Sequence, residues 1–216
     1  MIDIAQRTIT KGNLQEAAAI YEQYLKNNPK DADTLVWLAG LYGLMDRPAT
    51  QEALCRQALF TDPQHVAALI NLGNAQCARH MWDEAEGLYL SAHHVAIQQS
   101  DSPEKRHNLQ ASLYALSQFY LARPQQDNTR AIAYADMCLA LASDDIKKGV
   151  YLKTQTRAHN SEKILYKMAI LNKAGALGNQ KDFDAARAVL RDYLGAYPAT
   201  PEALKMLETY PEHFPE

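Results

Sequence analysis

Two asparagines, three positions apart, have the spacing in this sequence that most directly suggests binding chemistry. Asn71 and Asn74 stand in the stretch LINLGNAQ, and on a helix residues three apart share a face. An amide side chain both donates and accepts hydrogen bonds, so such a pair can hold a peptide backbone without demanding a particular side chain. The alternatives are two solvated polar residues, or asparagines that hydrogen-bond to a neighbouring helix.

Other residue types that often carry chemistry give no site. His93 and His94 are adjacent, so on a helix they point about 100° apart and cannot share one metal ion. No cysteine belongs to a CxxC pair, and Gly175 with Gly178 form a GxxG that helix packing explains better than phosphate binding. We therefore expect no catalytic residue, no metal and no cofactor, and a chain that is not an enzyme.

A basic run extends from Lys147 to Lys167, and its only acidic residue is Glu162. A charge run of this kind is most often a solvated helix face. The functional alternative is a surface that docks an acidic partner protein or an anionic lipid headgroup. The six basic residues are Lys147, Lys148, Lys153, Arg157, Lys163 and Lys167.

Composition narrows the class of protein. The 216 residues carry a formal net charge of -3, so nucleic acid is not an expected ligand. Cys55, Cys77 and Cys138 are odd in number and widely spaced, as expected for reduced thiols in the cytoplasm. No stretch approaches the roughly 18 consecutive apolar residues of a membrane span, so membrane contact is expected to be indirect at most.

The first hundred positions repeat with a period of 34 residues. Such a period is typical of stacked helical hairpins. Pro29 and Pro63 close the first two periods, where a proline ends a helix. Small residues recur at Ala5, Ala39 and Gly73, and a second recurring position holds Tyr21, Cys55 and Tyr89.

The third period, from Val66 to Ala92, resembles the tetratricopeptide repeat. Gln76 departs from that family's pattern, which usually has an aromatic residue at this position. Small residues at Gly73 and Ala85 would let the two helices of the hairpin approach closely. The positions that carry the resemblance are Leu69, Leu72, Gly73, Ala85, Tyr89 and Ala92.

The resemblance implies an all-α fold, a right-handed superhelical solenoid of antiparallel helix hairpins in a single domain over residues 1–216. About five repeats are expected, at 1–31, 32–65, 66–99, 104–143 and 167–200. The segment at 144–166, which contains most of the basic run, would be an inserted helix, and 201–216 would form a C-terminal cap over the last hairpin.

The resemblance also implies a concave groove lined by the first helix of each repeat. Trp37 and Tyr114 would supply rigid apolar area there, although Trp37 could equally pack between repeats and Tyr114 depends on the register of its helix. The implied groove residues are Asp33, Val36, Trp37, Gly40, Ile70, Asn71, Asn74, Ala78, Tyr114, Gln118, Leu171 and Asn172.

The leading hypothesis is a scaffold or adaptor that binds a peptide or helix segment of another protein in this groove. Members of the family that clamp a C-terminal carboxylate need Lys and Asn where this chain has Val36 and Gly40, so that type of binding is not expected. The main alternative is a chaperone-like escort for subunits of a larger assembly, such as a secretion or pilus system. A self-assembling scaffold, or homo-oligomer, and an enzyme accessory subunit are further alternatives.

Overall fold

Every regular element in the described part of the chain is an α-helix. The computed structural model describes residues 2–149 and 157–211, and its contacts divide the chain into two compact units, 1–98 and 99–216. The first unit contains α1 (Ile2–Thr10), α2 (Leu14–Asn27), α3 (Ala32–Leu44), α4 (Pro48–Thr61), α5 (Val66–Ala78) and α6 (Trp82–Gln98). The second contains α7 (Pro103–Ala122), α8 (Asn128–Ala140), α9 (Asp144–Lys147), α10 (Arg157–Asn179), α11 (Phe183–Ala196) and α12 (Pro201–Thr209). The predicted all-α fold of helical hairpins is confirmed.

The turn inside each hairpin of the first unit has a left-handed residue at the same place. Gly12, Asp46 and His80 are spaced 34 apart and have φ angles of 82°, 55° and 61°. Lys181, with φ 64°, takes this place in the last hairpin. In all four turns this residue's N–H bonds a carbonyl three positions back, and the next N–H bonds one five positions back. This pattern closes a helix C-terminus, so the period appears in the backbone as well as in the side chains.

Small residues bring the two helices of a hairpin together, as the repeat pattern predicts. Ala85 on α6 is fully buried, and Tyr89 one turn later is 3% exposed. A Cβ atom added to Gly73 of α5 would lie 2.7 Å from Cε1 of Tyr89, closer than real atoms approach. The same type of buried small residue recurs at Ala5, Ala17, Ala39, Cys55, Ala58 and Ala92.

One extra helix follows the fourth hairpin, as expected, but in the described residues it is shorter than the predicted segment. Helix α9 is a single turn after Ser143; Lys148 caps it, and Gly149, with φ 66°, follows. Helix α10 begins at Arg157 and runs without a break through Asn179, so residues 157–166 lengthen the first helix of the last hairpin. Nothing in this stretch interrupts the backbone ladder, because it contains neither proline nor glycine before Gly175. Residues 150–156 lie outside the described part.

The terminal helix α12 covers the last hairpin of the second unit. Its Ala203 is fully buried in a cluster with Leu190 and Tyr193 of α11. Met206 and Leu207 pack against the same cluster. The last part of the predicted cap, 212–216, lies outside the described residues.

Candidate functional site

Asn71 and Asn74 lie on α5, and each uses one end of its amide to contact its own fold. Asn71 is half-buried, and its Nδ2 donates to the backbone oxygen of Val36 on α3, at 3.3 Å. Asn74 is exposed, and its Oδ1 accepts from the hydroxyl of Tyr89 on α6, at 2.7 Å. The amide of Asn71 is therefore oriented by its partner, since a backbone carbonyl can only accept.

The other end of each amide has no protein partner among the described residues. Oδ1 of Asn71 remains as an acceptor, and Nδ2 of Asn74 remains as a donor. One peptide group offers the complementary donor and acceptor. Because the opposite ends are already bonded within the fold, neither side chain has to lose all its rotamer freedom on binding, which lowers the entropic cost.

Helix α3 supplies the surface next to the asparagine pair. Gly40 lies beside Asn71, and a Cβ there would be in ordinary van der Waals contact with Nδ2 of Asn71, at 3.7 Å. Trp37 is half-buried, with its ring centroid 6.0 Å from that of Tyr21. Leu44 ends the same stripe of α3 and is 71% exposed, a feature that the repeat pattern did not indicate.

The remaining predicted residues of this surface divide into exposed and buried ones. The Asp33 side chain is 72% exposed, and its Oδ1 lies 3.1 Å from Nε2 of His65. Ile70 is half-buried and Ala78 is exposed, both on α5. Val36 is only 4% exposed and packs with Ala58 and Ala68 in the core, so its side chain is not available to a partner. The Val36 backbone oxygen, which holds Asn71, is its contribution to this surface.

The predicted groove residues of the second unit are less accessible. Tyr114 is half-buried against Leu113 and Cys138, and this burial raises the pKa of its hydroxyl. Gln118 is exposed and Leu171 is half-buried. Asn172 is 8% exposed, and its Nδ2 donates to Oγ of Ser117 at 3.4 Å. Asn172 therefore joins α10 to α7 and does not form part of an open surface.

Among the described residues, the predicted basic patch does not form a single surface of unpaired positive charges. Lys147 donates to the backbone oxygen of Ala140 at 3.3 Å, whereas Lys148 is exposed. Lys167 forms an ion pair with Glu202 at 2.9 Å. The side chain of Arg157 is not described, and Lys153 lies outside the described part.

Lys163 and Lys167 instead border a cavity of about 480 Å³ at one end of α10, α11 and α12. The ring centroids of Tyr193 and Tyr197 lie 5.0 Å apart, and Nζ of Lys163 lies 4.9 Å from the centroid of Tyr197. Both lysines at the rim of the cavity therefore already have a partner, Lys163 in a cation–π contact and Lys167 in an ion pair with Glu202. The sequence analysis singled out the lysines but not Tyr193 and Tyr197, although their spacing of four residues is that of neighbours on one helix face.

The largest pKa shifts among the described residues belong to two buried thiols. Burial raises the pKa of the Cys55 and Cys138 thiols to about 12, so both stay protonated near neutral pH and act as small packing groups. Within the described residues, His, Cys, Asp and Glu side chains nowhere gather in a group of three or more that could hold a metal ion. Among those residues, no helix combines the length and apolar character that crossing a bilayer requires.

These features define the class of the molecule, which has the fold of tetratricopeptide repeat proteins. Residues 68–101 match the tetratricopeptide repeat family. A thermophilic TPR protein of Thermus thermophilus, TTC0263, has a similar structure, with 14% identity, a TM-score of 0.72, and coverage of 97% of this chain and 96% of that one. PilF of Pseudomonas aeruginosa is also similar, with 17% identity, a TM-score of 0.53, and coverage of 96% and 95%. The curated protein sequences contain no match to this chain.

Proposed function

We propose that this chain is a protein-interaction scaffold that holds a segment of a partner protein against the surface formed by α3 and α5. The observation that carries the proposal is the asparagine pair, which presents one acceptor, on Asn71, and one donor, on Asn74. In each asparagine, this group is at the end of the amide that makes no hydrogen bond within the fold. A backbone segment satisfies this arrangement whatever its side chains are.

The apolar part of the same surface supports the proposal. Trp37 and Ile70 are half-buried, and Leu44 is largely exposed. Large apolar side chains beside a few directed polar groups are the usual composition of a protein-binding surface. The net charge of -3 and the compensated lysines of the second unit do not favour nucleic acid or an anionic membrane as the main ligand.

The test is a capture experiment from native lysate with three baits. The first is the wild-type chain, and the second carries Asn71→Ala and Asn74→Arg. The third carries Thr50→Arg, which adds the same charge at an exposed position of α4, a helix that contributes no residue to the proposed surface. All three must first show equal helicity and remain folded well above the capture temperature, because each asparagine also makes a native hydrogen bond.

We expect a partner retained by the wild type and by the Thr50→Arg chain to be reduced about tenfold or more with the double variant. Two net hydrogen bonds are worth roughly 1–3 kcal/mol, and 1.4 kcal/mol corresponds to a factor of ten in affinity. Equal retention by the wild-type and double-variant baits would show that the α3–α5 surface does not carry the interaction.

A further inference from the structure

A cleft lies on another side of the first unit, between α4, α5 and α6. Its volume is about 650 Å³, and it is open to solvent. Leu72 of α5 and Leu88 of α6 form apolar walls, with Met81 of the intervening turn. Gly87 also lines the cleft, and a Cβ there would meet nothing within 4 Å. None of the residues of the asparagine surface lines this cleft.

Gln76 lines the cleft and makes no hydrogen bond through its side chain among the described residues. The residue is only 4% exposed, and its Oε1 is a buried atom without a partner. Burying an amide without a hydrogen-bond partner is unfavourable. The side chain therefore marks a place where a donor from outside the chain would be favourable.

The preceding repeat shows which group fills the equivalent space. Tyr42 stands 34 positions before Gln76. Its half-buried ring packs with Leu38 and Leu41, and its hydroxyl bonds the carboxylate of Glu22 on α2. In the third repeat the position of the ring is taken by the smaller Gln76. The second repeat therefore accommodates a phenol ring at this position, and the third repeat has no ring there.

On one side of the cleft, the rim favours the binding of a negatively charged group. Arg56 and Arg79 share the single carboxylate of Glu52, at 2.8 Å for Arg56. The hydrogen bonds from Arg56, with those from Arg79, hold the pKa of Glu52 below its ordinary value, so this carboxylate stays charged. The side chains of Arg56 and Arg79 are 61% and 45% exposed. Glu84 lines the cleft on α6 and is the other acidic residue there.

We propose that the cleft is a second docking site, which takes a tyrosine side chain of a partner protein with an acidic residue next to it. The ring lies against the outer side of Leu88, and the Gln76 side chain turns toward it, so that the amide oxygen, buried in the free chain, accepts from the phenol hydroxyl. The neighbouring carboxylate binds the guanidinium groups of Arg56 and Arg79. The site does not depend on the asparagine surface, so the two proposals can fail separately.

The probe for this site is 4-hydroxyphenylacetate, which combines a phenol with a carboxylate. Binding to the full chain is followed by NMR of ¹³C-labelled methyl groups of Leu72, Met81 and Leu88. We expect saturable shifts of these methyl signals. Phenylacetate, which lacks the hydroxyl, and p-cresol, which lacks the carboxylate, should each bind about fivefold more weakly, because each loses one hydrogen-bonding group.

Two variants fill the cleft from different sides. Gln76→Tyr introduces the tyrosine that the second repeat has at the equivalent position, and its ring should fill the cleft. Gly87→Leu fills the open space beside α6. Both should abolish the methyl shifts, whereas Asn71→Ala/Asn74→Arg should leave them unchanged. Absence of saturable shifts in the wild type would mean that the cleft holds only water and would overturn the proposal. So would equal affinity for the three probes, or shifts that persist in a folded cleft-filling variant.

Discussion

Gly73 shows how a single residue sets the distance between two helices. Its Cα faces the ring of Tyr89, and the Tyr89 hydroxyl in turn holds Asn74 and lies 3.6 Å from Sγ of Cys77. The same contact therefore fixes the hairpin and orients one member of the asparagine pair. Packing and site geometry are linked at this residue.

Gly73→Ala should destabilise the first unit. The added Cβ would meet the Tyr89 ring at 2.7 Å, and relief requires a shift of the ring or of α6. We expect the free energy of unfolding to fall by about 1–3 kcal/mol. Urea titration followed by tryptophan fluorescence measures this, since Trp37 and Trp82 are the chain's two tryptophans and both lie in the first unit.

Gly87→Ala is the matched control for this substitution. It also replaces a helical glycine, but its Cβ would meet nothing within 4 Å. Its expected effect is a gain of about 0.5–1 kcal/mol from helix propensity alone. If Gly73→Ala proved as stable as Gly87→Ala, the close approach of Gly73 and Tyr89 would not be a constraint on the fold.

At the scale of the element, α12 is held to the second unit by a buried arginine of α11. Arg187 is 9% exposed, and its Nη1 donates to the backbone oxygens of Leu207, at 3.3 Å, and Tyr210, at 2.5 Å. These carbonyls lie at the C-terminal end of α12, where helical hydrogen bonds are missing. A positive charge there also interacts favourably with the helix dipole.

Arg187→Met should loosen α12 while α10 and α11 keep their structure. The change preserves much of the apolar stem and removes the donors to the terminal carbonyls. We expect the amides of α12 to exchange with deuterium about tenfold faster or more, because hydrogen bonds from a charged group contribute about 1.5–3 kcal/mol. Lys205→Met, at an exposed position of α12 itself, is the control and should leave the rate unchanged. Unchanged exchange in Arg187→Met would mean that apolar packing alone holds the helix.

The long helix α10 illustrates what element boundaries in the sequence can reveal. Gly149 could have been recognised as the end of a short helix, since a left-handed glycine commonly follows one. The continuity of α10 from Arg157 to Asn179 was missed because the 34-residue period placed a repeat boundary inside it. The sequence analysis assigned residues 157–166 to an inserted segment before the last repeat, whereas they form the first part of α10.

At the scale of the whole molecule, the sequence predicted the hairpin fold well because packing residues recur at fixed spacing. Gly73 and Ala85 are small for the reason that the pattern suggests. Accessibility of the site was predicted less well. Val36 and Asn172 lie on helices of the expected type, but each faces a neighbouring helix. Which polar groups keep a spare donor or acceptor depends on what lies opposite them in space, and a single sequence does not contain that information.

The most direct test of the central claim is site-specific photo-crosslinking in the cells that make the protein. A photoreactive side chain at Ala78, exposed at the end of α5 one turn beyond Asn74, should form a covalent adduct with a partner protein. The same group at Thr50 of α4 should form none, and Asn71→Ala/Asn74→Arg should abolish the adduct at Ala78. An adduct at Thr50 alone, or one at Ala78 that survives the double substitution, would contradict the assignment of the α3–α5 surface.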